Sequence, residues 1–135
     1  MWTVRRRAAV ERLTSHPHDL EAALRLSRVL AGQATFEAQE SYTAAEPSCG
    51  VPYHEYLAAC LGRLPDMASA EALARKVTAA APDPHLRARG WAHLVVINQS
   101  LNRRDEAMRC LREAVREDPA RFEGLLRAWT QDGGS

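Results

Sequence analysis

Apolar residues recur along almost the whole chain at spacings of three and four, the period of an α-helix with one buried face. Val4, Ala8 and Leu13 form such a stripe, with Arg5 to Arg7 and Arg12 largely outside it, which predicts a helix over 2–14. His16-Pro17-His18 interrupts it, because proline forces the residue before it out of the helical region. Leu20, Ala23, Leu24 and Leu30 predict a helix over 19–31, with Gly32 as its stop. A further helix is expected over 36–45, followed by a loop at Pro47-Ser48-Cys49-Gly50. Pro52 suits a first turn and opens a helix to Arg63. Leu64-Pro65-Asp66 is a turn in which Asp66 can cap a helix over 67–80. Pro82-Asp83-Pro84 breaks the chain before a helix over 85–101. Asn102 can cap the next helix, 103–117, whose first turn holds Asp105 and Glu106 where the helix dipole favours acid. Pro119 opens a last short helix over 120–130, and Asp132-Gly133-Gly134-Ser135 reads as a frayed tail. No alternating β-branched run competes. The fold class predicted is all-α, one domain of about seven to eight helices.

A finer pattern lies over 88–119. Trp91, Leu94, Ala107, Leu111, Ala114 and Pro119 follow W-x2-L, A-x3-F and A-x4-P, with Leu111 in the aromatic slot. The same register recurs in 51–82 through His54, Leu57, Ala58, Leu61, Ala70, Ala74, Val77 and Pro82, with smaller residues. Over 19–47, Ala38, Tyr42 and Ala45 match a second helix, while Leu26, Ser27 and Leu30 match a first helix with one residue missing. On these residues the chain resembles the tetratricopeptide repeat family. It departs from that pattern at Val95, where a small residue is usual, and at Asn98, where tyrosine is usual.

The resemblance implies an α-solenoid of helical hairpins at 19–47, 51–82 and 88–119. The segment 1–15 would be an N-terminal cap helix and 120–131 a C-terminal one. Three units are about the minimum for an independent array. It also implies a concave groove lined by the first helix of each unit. Carried onto this chain, the groove residues are Arg89, Ala92, Val96, Gln99 and Ser100 in the last unit, and Pro52, Glu55, Ala59, Gly62 and Arg63 in the middle one. Such a groove would hold a peptide or helix of a partner protein, with Arg63 and Arg89 at its acidic points. Some members clamp a chaperone carboxylate with Lys and Asn. The matching positions here hold Glu55, Tyr56, Ala59, Arg89 and His93, of which Arg89 alone has the right character, so that mode is disfavoured. A generic alanine-rich bundle would produce the same spacing of small residues.

Composition narrows the function. Hydrophobic content of 46% and charged content of 26% fit a soluble globular domain. A net charge of +1 supplies no global pull toward nucleic acid or anionic lipid. Arginine supplies 17 of the 18 basic residues, which points to GC-rich bacterial coding. Arg103, Arg104, Arg109, Arg112 and Arg116 could touch phosphates, but Glu106, Glu113 and Glu117 interleave with them at helical spacing. Trp2, Trp91 and Trp129 do not alternate with arginines as a stacking platform would.

Three cysteines, Cys49, Cys60 and Cys110, without CxxC spacing argue against a disulfide framework or a zinc knuckle. His16 and His18 bracket a proline and lack a third ligand, while His54, His85 and His93 are scattered. Cys49 with His54 lacks an orienting group or an oxyanion hole. No catalytic motif occurs. The basic start lacks an apolar core or cleavage site, and no run of 18 apolar residues exists, which predicts a cytoplasmic protein without a membrane span. The reading is a non-catalytic adaptor that binds a partner protein, with no cofactor and no metal. The alternatives are a self-associating module, dimerising through a repeat end or the Trp129 face, and a nucleic-acid accessory protein.

Overall fold

Proline and asparagine-family residues punctuate the chain into seven helices among the described residues. The structure, a computed structural model, describes residues 2–131, with the side chains of Trp2 and of 46–49 outside the description. The helices are α1 (Trp2–Ser15), α2 (Leu20–Cys49), α3 (Tyr53–Leu61), α4 (Pro65–Ala80), α5 (Pro84–Ser100), α6 (Arg104–Glu117) and α7 (Pro119–Gln131). No strand forms among these residues, and none of the helices is long and apolar enough to cross a membrane.

Capping explains most boundaries. Asp19 closes the first turn of α2 by accepting the Ala22 amide at 3.0 Å, and its other oxygen accepts from Arg12 of α1 at 2.6 Å. The Arg12 hydrogen bond is the main reason its pKa is lowered, with the Ala22 amide next. Asp83 likewise accepts from the His85 amide at 3.0 Å and starts α5. Pro65 and Pro84 sit in first turns, where no amide donor is needed. Leu64, not Asp66, is the N-cap of α4. Asp66 lies in its first turn and pairs with Arg6 of α1 at 3.1 Å. Asn102 does not cap α6 either. It takes φ +60°, so that the Arg103 amide turns back onto the Asn98 carbonyl at 2.8 Å.

The main departure from the sequence reading is α2. Gly32 is expected from the sequence to end the first helix of a 19–47 hairpin, yet α2 runs unbroken for 30 residues to a left-handed Gly50. The cause is tertiary. Ser27, Leu30, Ala31, Ala34 and Ala38 continue one buried stripe across Gly32 at helical spacing. That stripe packs along α4, where Ala70 and Ala74 are fully buried. The small side chains allow close approach, and the Ser27 hydroxyl donates to the Ala70 carbonyl at 2.6 Å. Burial of that stripe outweighs the roughly 1 kcal/mol that glycine costs inside a helix.

The 51–82 segment also packs differently from a self-contained hairpin. α4 lies between α2 and α5, while α3 packs on α2 and α5. The helices α1, α2, α4, α5, α6 and α7 thus follow one another as packed neighbours. The α5–α6 pair carries the strongest match to the expected pattern. Leu94, Ala107, Leu111 and Ala114 are buried there, and Trp91 is half-buried beside Arg109, whose guanidinium lies 5.8 Å from the ring. Gly90 brings α5 close to α4: a Cβ there would meet Val77 at 3.0 Å and Thr78 at 3.1 Å. Phe122, Ala88 and Ala114 seat α7 on the pair. Leu126 and Trp129 of α7 are packed against the main core as half-buried side chains.

Candidate functional site

The continuity of α2 builds a wall that a broken helix could not. Its face from Arg28 to Gln39 stands opposite the His93–Ser100 face of α5, and the two enclose a cleft of about 420 Å³. Ala31, Phe36, Met67, Val96 and Ile97 make it apolar, and Arg28 stands at one end. Phe36 and Val96 are 51% and 54% exposed, an unusual state for two large apolar side chains facing one space. Thr35, Gln39 and Ser100 also line a second cleft of about 370 Å³, which continues the first toward Tyr53, His54 and Leu57 of α3. The two form one groove between α2, α3 and α5. Along α2 alone, the eleven steps from Arg28 to Gln39 at about 1.5 Å each give it a length of about 16 Å.

The α3 end is aromatic. Tyr42 of α2 meets Tyr53 and Tyr56 edge-on, at centroid separations of 4.8 Å and 5.3 Å. The Tyr56 hydroxyl lies 2.8 Å from the Ser41 hydroxyl, which ties α3 to α2. His54 stacks obliquely beside Tyr53 at 5.8 Å and stays exposed to the groove.

His93 lies at the opposite end, in the apolar floor. It is 8% exposed, and its Nε2 has no hydrogen-bond partner among the described residues. Burial is the main reason its pKa is pushed down to about 4; hydrogen bonding to the Ser27 backbone opposes this, and the charge of Arg28 adds to it. The ring is therefore neutral in the folded protein at pH 7. The unfolded chain takes up its proton first as pH falls below 6.5, so His93 withdraws stability between pH 6.5 and 4. Wild type should lose about 2 kcal/mol more than His93→Leu when pH drops from 7 to 4.5. Urea midpoints of both proteins at the two pH values measure this. Equal losses would place the imidazole in contact with water. Asp19 and Glu106 also lose stabilising pairs in acid, but in both proteins alike.

The residues expected at the groove fall into several places. Val96 and Gln99 line it, as does Ser100. Arg89 is engaged across the α2–α5 boundary with Glu21, at 2.7 Å. Arg63 lies in the turn after α3 and lines a separate small cleft with Cys60, Ser41 and Glu37. Ala92 packs toward the Ala88, Ala114 and Phe122 cluster. Glu55 and Ala59 are exposed on α3 but do not line the groove. Sequence reasoning missed Arg28, Phe36 and Gln39, while His93, named there at a groove position, does line the cleft. The signal for them was the small-residue stripe Ser27, Ala31, Ala34 and Ala38, which crosses Gly32 without a change of phase.

Two of the four arginines of α6, and Arg103 at its N-cap, hold carboxylates among the described residues. Arg109 binds Glu106 at 3.0 Å, Arg116 binds Glu113, and Arg103 reaches Glu71 of α4 at 3.3 Å. These are exposed pairs that neutralise the helix surface. Near this end of the molecule, Gln99, Asn102, Arg103, Arg104 and Trp129 surround a cleft of about 320 Å³. Cys110 is buried, and desolvation raises its pKa above the usual thiol value. Among the described residues no three His, Cys, Asp or Glu side chains gather as a metal site. Comparison of the chain with known protein families, with curated proteins and with solved structures finds no match.

Proposed function

We propose that this chain is a tetratricopeptide-like adaptor that holds a segment of a partner protein in the groove between α2, α3 and α5, without chemistry of its own. The observation that carries this is the groove itself: Phe36 and Val96 face one space from two helices while more than half exposed. Large apolar side chains left in water at a concave site mark a surface that is covered in use. The groove walls are helix faces packed on a buried core, so little ordering is needed on binding. Burial of Leu94, Ala107, Leu111 and Ala114 at the α5–α6 interface supports the repeat reading, since those are the positions its pattern requires. The succession of packed helices α4, α5, α6 and α7 supports it as well, while α3 stands outside that line.

The test is photo-cross-linking in the source cells. A benzophenone side chain placed at Val96 should give a discrete protein adduct. The same group at Arg112, exposed on α6, should not. An adduct at Arg112 alone, or at neither position, would remove the groove as the working surface.

A further inference from the structure

The groove's charge is one-sided. Neither half of its lining contains a carboxylate. Eight arginines, from Arg6 to Arg116, hold carboxylates of this chain. Arg28 holds none among the described residues, and it is the arginine that lines the apolar groove. Arg89 of α5 is already matched by Glu21 of α2. His93, the other titratable group at this end, is neutral at pH 7 and adds no charge of its own. A guanidinium left unmatched at the rim of an apolar cleft is a ready partner for an incoming carboxylate, because the drying of the cleft on binding strengthens the pair. The opposite end offers Gln39, Tyr53 and His54, which are hydrogen-bonding groups without a carboxylate among them.

We infer that the groove's occupant is an acidic, apolar peptide segment of a partner protein. Its hydrophobic side chains lie between Phe36 and Val96, and an aspartate or glutamate side chain pairs with Arg28. This rests on the groove reading above and adds the chemistry of the partner. Arg28 is the residue that sets specificity, and the apolar walls supply most of the contact.

Selection of a displayed library of random 12-residue peptides on the immobilised protein tests this. Wild type should enrich peptides with two or more large apolar residues and at least one Asp or Glu. Arg28→Glu should reverse the charge preference to Lys or Arg, and should weaken the best wild-type peptide at least tenfold. Val96→Asp should abolish binding of either class, and circular dichroism with an unchanged melting profile would show each variant folded. Peptides that require Val96 yet carry no acidic bias, or that bind Arg28→Glu equally well, would overturn the charge assignment and leave the groove standing. Failure to enrich any peptide, or binding indifferent to Val96→Asp, would overturn both.

Discussion

Replacement of Gly32 by proline should cost at least about 3 kcal/mol, because the ring removes a helical amide and collides with the carbonyl of Arg28 one turn back. The expectation follows from α2 running through Gly32 without interruption. The damage should not stay local. Ala34 and Ala38 beyond the kink would be pulled off α4, and Phe36 and Gln39 would leave the groove wall. Peptide binding should therefore fall along with stability. Gly32→Ala should be neutral or stabilising by about 0.5–1 kcal/mol, as expected for glycine in a helix interior. Urea unfolding of the three proteins decides the matter. Proline tolerated at a cost under about 1 kcal/mol would mean that the chain turns at Gly32.

Leu94→Ala carries the second large effect, about 2–5 kcal/mol. Leu94 is fully buried in the central core, against residues of α2, α4 and α6 that cannot collapse into the space it leaves. Val96→Ala, two residues on, should change stability by no more than about 0.5 kcal/mol, since Val96 faces the open groove. The contrast tests the register of α5 directly. A rotation of the helix by two residues would exchange the two results. Denaturant titration of the pair measures it, and comparable losses at both sites would contradict the arrangement.

Much of the helical layout is written in the prolines. Pro17, Pro52, Pro65, Pro84 and Pro119 each stand beside or just inside a helix start, where proline has one physical meaning, and five of the helices follow closely from them. Glycine has no such single meaning. At Gly50 it takes φ +61° and ends α2; at Gly32 it is an ordinary helical residue. Local sequence could not separate the two, because the deciding energy is the burial of Ala31, Ala34 and Ala38 against α4, a helix distant in sequence. The same long-range fact governed the site. With α2 divided, its Arg28–Gln39 face had no place in the groove, and Arg89 and Arg63 stood as the charged anchors. With α2 whole, Arg89 is paired with Glu21, Arg63 lines a separate cleft, and Arg28 is the arginine that lines the groove. Val96, Gln99 and Ser100 were legible because they depend only on the face of one helix whose register was secure.

In the proposed adaptor, α2, α3 and α5 together form the binding surface. Amide chemical-shift mapping tests it most directly: isotope-labelled wild-type protein is titrated with the strongest peptide from the library selection. The account predicts perturbations concentrated in 28–39, 53–61 and 93–100, with α1 and the outer face of α6 unchanged. Perturbations centred on α1, α6 or α7, with those three segments silent, would contradict it.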